Sequence, residues 1–292
     1  TSSSAASDVY KRQHLWEQFF LPLVKNNLLI NLSGSGPLIK RNQFFTIHDA
    51  VIFDSPSAYK KSFIYWYRLL FFIQSITALK IFTVSEFSMR RLKTHLPNIE
   101  KKIELTYDGF EHVERIQSCK KILNDLGVIK NKFFLSIGSN NPNKNFKRLI
   151  QAIEEIDDLR GFKFIIIGLS KDAAFASQNL KSVSKDIIFL KNISDEQLKS
   201  MYINARALIF PSIYEGFGLP LLEAMYNKCP IIASNAASIP EICGDYPDYF
   251  DPYSVQEIKN AILKNLNDTD TKRTEKIADY KKFSWLKSAE AI

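Results

Sequence analysis

Short apolar runs rich in Ile, Val and Phe alternate with helix-length stretches through most of the chain. A strand covered on both faces reads as an unbroken apolar run, and two parallel strands need a crossover of a dozen residues or more, usually a helix. This alternation therefore sets the class as α/β and sets aside all-β folds and helical bundles. No repeat of roughly 20 to 50 residues is present, which excludes solenoids and propellers. With 46% hydrophobic and 24% charged residues in 292, the chain can build more than one core, and disorder is excluded.

In the first half, strands are expected at Asn27–Leu32, Phe44–Ile47 and Lys80–Val84, with a helix over Ser62–Leu79. Three strands are fewer than a complete doubly wound domain holds. In the second half the runs Lys132–Ile137, Phe162–Ile167, Asp186–Leu190, Ala205–Phe210 and Cys229–Ala233 are each followed by a helical stretch. They form one full Rossmann-like unit. Between the halves, Thr106–Glu114 carries the turn signal Asp108-Gly109, and the hydrophobic pattern restarts after it. Domains are accordingly expected over 14–112 and 113–275, followed by a helical segment at 276–292.

Ser62–Leu79 is nearly as long as the ~20 apolar residues that span a bilayer. Arg68 at its middle, with Gln74, Ser75 and Thr77 beyond, argues instead for a buried or surface-docking helix. Its aromatic face beside a basic tip also suits peripheral contact with a membrane interface. Three cysteines without a CxxC pair offer neither a disulfide framework nor a zinc ribbon, consistent with a reducing, cytoplasmic setting. The net charge of +8 is spread along the chain, without a basic face interleaved with stacking aromatics, so nucleic-acid binding is not expected. Residues 1–13 are small and polar, lack a signal-peptide core and join abruptly onto the aromatic run from His14. Ser3–Gln13 resembles the translation of a sequencing-library adaptor, so a non-native leader is expected on a chain whose first domain is truncated.

The strongest chemical signal is Tyr214-Glu-Gly-Phe-Gly-Leu-Pro-Leu-Leu-Glu-Ala224, directly after the strand ending Phe210-Pro-Ser. Gly216 and Gly218 let the backbone approach a ligand, and a helix beginning near Pro220 points its free N–H groups and positive dipole end at the loop. That makes a seat for an anion. Glu215 before the turn and Glu223 inside the helix suit hydroxyl groups at opposite ends of an elongated ligand, such as a phosphate flanked by sugars. A lone GxG is equally an ordinary strand-to-helix turn; the glutamates eight positions apart around GFGLP are far more specific.

These residues resemble family 4 glycosyltransferases of the GT-B fold, in which two Rossmann-like domains face a cleft. The resemblance runs through His14-Leu-Trp-Glu-Gln, Thr46-Ile-His-Asp, Tyr67-Arg-Leu, Thr83-Val-Ser-Glu-Phe-Ser, Phe134-Leu-Ser-Ile-Gly and Lys144-Asn. It continues past Ser234-Asn, Ser238, Pro240-Glu and Gly244-Asp to Phe250-Asp-Pro. Within the family the chain looks most like bacterial mannosyltransferases of lipopolysaccharide or exopolysaccharide synthesis. The resemblance implies transfer of a hexose, mannose by that likeness, from a nucleotide-sugar donor to a saccharide or lipid-linked acceptor with retained anomeric configuration. It implies a catalytic set of Glu215, His48 and Lys144, with Glu215 on the sugar hydroxyls and Lys144 beside the diphosphate. Donor contacts fall to Glu223 on the ribose and to the backbone of Gly216, Phe217, Gly218 and Leu219. Ser139 and Asn143 are counted with the donor-binding residues; many relatives carry an arginine at the position of Asn143 and some at that of Ser139, so phosphate neutralisation shifts onto Lys144 and the backbone. No metal and no cofactor is implied. The domain segment 276–292 resembles the final helix that crosses back to the first domain.

Ser85 with Ser88 reads equally as a polar ligand loop and as a helix N-cap. The two glutamates are not a hydrolase pair, since both fall on the donor side and an acid and a base flanking one glycosidic bond are missing. The rival readings are a noncatalytic nucleotide-sugar-binding fragment and a GT-B sugar-nucleotide epimerase; the latter calls for acid/base residues that the sequence does not offer.

Overall fold

The computed structural model describes residues 15–23, 28–119, 121–169, 184–267 and 278–292. The leader 1–13, His14 and Asn27 lie outside them. The chain separates between Tyr107 and Asp108 into two compact units, inside the segment 106–114, where the expected turn at Asp108-Gly109 does not form and Glu111–Glu114 is helical.

The first unit holds a parallel sheet of four strands in the order β1 (Leu29–Asn31), β2 (Gln43–Thr46), β3 (Lys80–Thr83) and β4 (Ile103–Leu105). Strand β2 starts one residue earlier than its apolar run, because Gln43 is fully buried and carries its own polar network. Its amide donates to Gln74 Oε1 at 2.9 Å and to the Pro37 carbonyl at 3.0 Å, and its oxygen accepts from Asn31 Nδ2 at 2.7 Å. Burying an amide is tolerable only when it is bonded in this way. Helix α1 (Lys61–Thr77) buries Ile64, Leu70 and Phe71 on one face and leaves Tyr65, Leu69, Phe72 and Ile76 exposed on the other. Among the described residues no helix is long and apolar enough to cross a membrane. Helix α2 (Glu86–His95) is capped by Ser85, whose hydroxyl accepts from Ser88 N at 3.0 Å, so the capping reading of that pair is the one realised.

In the second unit six parallel strands lie in the order β10-β9-β8-β5-β6-β7. They are β5 (Phe133–Ile137), β6 (Lys163–Ile167), β7 (Ile187–Leu190), β8 (Ala207–Phe210), β9 (Ile231–Ser234) and β10 (Asp248–Phe250). Helices of this unit include α3 (Glu111–Glu114), α4 (Phe146–Glu154), α5 (Asp195–Asn204), α6 (Leu219–Tyr226), α7 (Val255–Asn267) and α8 (Trp285–Ala291). Phe146, Leu149, Ile150 and Ile153 of α4 and Ile258, Ile262 and Leu266 of α7 pack with Phe134, Phe164 and Ile166 in one core cluster. The expected strands of this half are all present. Strands β4 and β10 were not expected: each is a three-residue edge strand with one buried position and two partly exposed ones, so neither writes an apolar run into the sequence.

The order of the second sheet fixes where a ligand can sit. From β5 the chain proceeds to β6 and β7 on one side, then returns to place β8, β9 and β10 on the other. The loops leaving β5 and β8 thus diverge at the point where the winding reverses, which opens a crevice beyond the carboxyl ends of those two strands.

Candidate active site

Both sequence segments singled out for phosphate and sugar lie at that reversal. After β5, Gly138 and the exposed Ser139 lead to a single turn of 3-10 helix at Pro142–Lys144, capped by Asn141, whose side chain accepts from Asn143 N at 2.9 Å. Asn143 is buried and its carbonyl accepts from Ile213 N at 2.8 Å. Asn145 then adopts a left-handed conformation at φ 56°. Its amide donates to the carbonyls of Pro211 at 3.0 Å and Pro252 at 2.7 Å, tying the β5 loop to the segments that leave β8 and β10. Lys144 Nζ is thereby delivered to Glu215 Oε1 at 2.7 Å and lies 5.8 Å from the centre of the Phe210 ring. An ammonium group has three donors, so this one can hold Glu215 and still serve an incoming phosphate oxygen.

The loop after β8 is set by packing at its middle and by backbone shape at its end. The Phe217 ring is 3% exposed and meets Phe283 edge-on at 5.5 Å, so what Phe217 presents to a ligand is its backbone. Ser238, fully buried, donates to the carbonyls of both Glu215 at 3.1 Å and Phe217 at 3.0 Å. Gly218 takes φ 105°, a value that L side chains rarely adopt, and forms the N-cap of α6, in which Leu219 is the first residue and Pro220 follows. The half-buried Glu215 and Gly216 complete the loop.

Glu223 points its two oxygens at two different partners. Tyr202 of α5, buried, donates to Oε2 at 2.8 Å, and His112 Nε2 donates to Oε1 at 3.1 Å. Burial, and then the charge of Glu223, pushes the Tyr202 phenol well above its ordinary range. The bond to Glu223 raises the His112 imidazole above 6.5, with burial opposing. Neither partner was legible in the sequence: Tyr202 reads as core, and His112 stands 111 positions from the carboxylate it meets.

His48 lies in the first unit, exposed just beyond β2, where its Nε2 donates to the Leu32 carbonyl at 3.1 Å. It is therefore not among the residues that the second sheet gathers. Among the described residues no three His, Cys, Asp or Glu side chains come together to hold a metal ion.

Residues 121–282, more than half of the chain, match the family model for glycosyl transferases group 1. The chain belongs to this family. As a group 1 glycosyl transferase it is 29% identical over 251 residues to O-antigen chain mannosyltransferase B of Escherichia coli, a match covering 82% of this chain and 66% of that one. It is 28% identical over 252 residues to O-antigen chain mannosyltransferase RfbU of Salmonella typhimurium, covering 84% and 67%. The transferase chain thus spans about two thirds of the length of these relatives. Among solved structures it is similar to HepE of Anabaena in complex with UDP and glucose, with a TM-score of 0.70, 18% identity and coverage of 98% and 78%. Sucrose-phosphate synthase of Thermosynechococcus elongatus gives a TM-score of 0.63 at 18% identity, over 97% of this chain and 74% of that one. At such identities the likeness shows the fold, which is that of GT-B glycosyltransferases.

Proposed function

We propose that this chain is the working part of a retaining hexosyltransferase. It moves mannose from a nucleoside-diphosphate sugar to a saccharide or lipid-linked acceptor in cell-surface polysaccharide synthesis. The observation that carries this reading is the meeting of Lys144 and Glu215 at the winding reversal of the second sheet, beside a loop that ends in the N-terminus of α6. Cleaving a glycosyl phosphate leaves negative charge on the departing diphosphate. Lys144 and the N–H groups opening α6 supply fixed positive charge for it, an arrangement that needs no resident metal. Glu215 is assigned to the hydroxyls of the transferred sugar and Glu223 to the ribose diol. The acceptor hydroxyl attacks on the face from which the diphosphate leaves: the bond from the anomeric carbon to the phosphate oxygen breaks, the new glycosidic bond forms and the hydroxyl proton passes to the departing diphosphate, so no protein nucleophile is required. The relatives named as O-antigen mannosyltransferases support mannose, and the HepE complex with UDP and glucose supports a nucleotide-sugar donor.

The deciding experiment is calorimetric titration with GDP, UDP, GDP-mannose and UDP-glucose, beside Glu223→Ala. Binding selective for one nucleotide and lost in the variant identifies the donor. Absence of binding by the folded chain overturns the reading. Turnover of the bound donor should survive EDTA. We place the enzyme in the cytoplasm at the inner membrane face, on the strength of the exposed Tyr65, Leu69, Phe72 and Ile76 stripe that follows Lys60 and Lys61. Failure to sediment with anionic vesicles would remove that placement.

A further inference from the structure

His112 is joined on both ring nitrogens. Nε2 meets Glu223 Oε1 at 3.1 Å, and Nδ1 lies 3.4 Å from the indole Nε1 of Trp285. An indole N–H only donates, so this contact needs Nδ1 without a proton and leaves the single ring proton on Nε2, where the carboxylate takes it. The Gly109 carbonyl also faces the imidazole and favours its charged form. The ring therefore has a partner in either state: Trp285 when neutral, Gly109 when protonated on Nδ1.

The segment that carries the histidine is held independently of it. Glu111 accepts from Trp285 N at 3.0 Å and from the Ser284 hydroxyl. A Cβ on Gly109 would stand 2.1 Å from Trp285 N, so only glycine lets the start of α8 approach this closely. Lys199 of α5 donates to the carbonyls of Val113 at 2.9 Å and Ile116 at 2.8 Å. The charged groups acting on the ring are Glu223 on α6 and Asp195 on α5, and Tyr202 on α5 shares the Glu223 carboxylate with it.

We infer that His112 is a positioning residue for the donor carboxylate: with Tyr202 it holds Glu223 by one oxygen each, and its protonation state adjusts how tightly a nucleoside diphosphate is gripped. This rests on the assignment of Glu223 to the donor. With both oxygens engaged by the protein, the carboxylate has one orientation to offer a ligand diol, at no further entropic cost on binding. Protonation of His112 replaces a neutral hydrogen bond with an ion pair and places a positive charge near an anionic ligand. Affinity therefore rises as pH falls through the His112 pKa.

The test is calorimetry with UDP and GDP from pH 5.5 to 8.5 on wild type, His112→Ala, His112→Gln and Glu223→Ala. His112→Ala should bind about tenfold more weakly, the scale of a lost bond to a charged group. His112→Gln can donate from its amide, so it should recover most of the affinity at pH 8 while losing the rise toward low pH. The ligand's own phosphate titration is common to both proteins and cancels in the comparison. A second readout needs no ligand: with Trp16 and Trp66 replaced by Phe, Trp285 fluorescence should be quenched as His112 gains its proton, and His112→Gln should abolish the transition. If wild type binds and Glu223→Ala does not, yet both His112 variants match wild type at every pH, the inference is overturned alone. If wild type binds neither nucleotide, the donor assignment falls and this inference with it.

Discussion

Lys144 Nζ and Glu215 Oε1 stand 2.7 Å apart although the two residues are separated by 71 positions, one arriving from the turn after β5 and the other from the loop after β8. The Glu215 side chain is only 11% exposed and that of Lys144 25%, so each is the other's main compensation for leaving water. Lys144→Ala strands a half-buried carboxylate where the proposed diphosphate must sit. Donor turnover should fall roughly 10²- to 10³-fold, the scale for losing one electrostatic partner of a developing oxyanion. Stability should fall by about 1 to 2 kcal/mol. Adding Glu215→Gln should return most of the stability and none of the turnover. Equal turnover in the single and parent proteins would remove Lys144 from the chemistry.

Two glycines set how closely the ends of β5 and β6 approach each other. Gly168, at φ 88° beyond β6, brings its backbone so near β5 that an added Cβ would lie 1.9 Å from the Gly138 carbonyl oxygen. Gly168→Ala should therefore cost about 3 kcal/mol or more, a drop of roughly 6 to 12 °C in Tm for a unit of this size. Gly127→Ala is the control, because Gly127 has φ 60° but open space around it, and it should cost about 1 kcal/mol. A thermal scan showing the two alike would mean that the β5 and β6 ends can separate freely.

Much of this was readable in advance, for identifiable reasons. Strands β5, β6 and β8, buried among helices, write apolar runs such as Phe133–Ile137 and Lys163–Ile167, and the GFGLP segment follows one of them directly. Local chemistry also offered the α2 cap at Ser85 as one of two equal readings, and the cap forms. What escaped were relationships that sequence spacing does not encode. Gln43 opens a strand because distant Gln74 and Asn31 satisfy it. Tyr202 and His112 converge on Glu223 only because α5, α6 and α3 are brought together in the folded unit. The edge strands β4 and β10, with partly exposed residues, look like loops.

Cysteine chemistry distinguishes buried from accessible positions. Burial pushes the Cys243 thiol up to about 12, and Cys229 is also buried, whereas Cys119 is half-buried. Because the thiolate is the nucleophile, iodoacetamide at pH 8 should label Cys119 in the folded protein and all three cysteines in denaturant. The same shift has a stability consequence. Above pH 9 the unfolded chain gives up the Cys243 proton while the folded one keeps it, so stability should be fully present below pH 9 and decline as pH rises toward 12. Rapid labelling of Cys243 at pH 8 without unfolding would contradict the packing around it.

Ser238 offers the sharpest separation between shaping the donor loop and contacting the donor. Its hydroxyl is fully buried and lies within hydrogen-bond reach of the carbonyls of Glu215 and Phe217, on either side of Gly216. It has one proton to share between them, so it acts as a bifurcated staple that leaves the intervening backbone no freedom to turn. Ser238→Ala removes the staple while preserving volume and charge, and should cost about 1 to 2 kcal/mol in a denaturant titration. Donor affinity should drop several-fold, because the loop must then be ordered by the ligand rather than by the protein. Turnover at saturating donor should stay near the parent value, since Lys144 and Glu215 keep their own bond. A collapse in turnover with unchanged affinity would instead give Ser238 a place in the reacting complex.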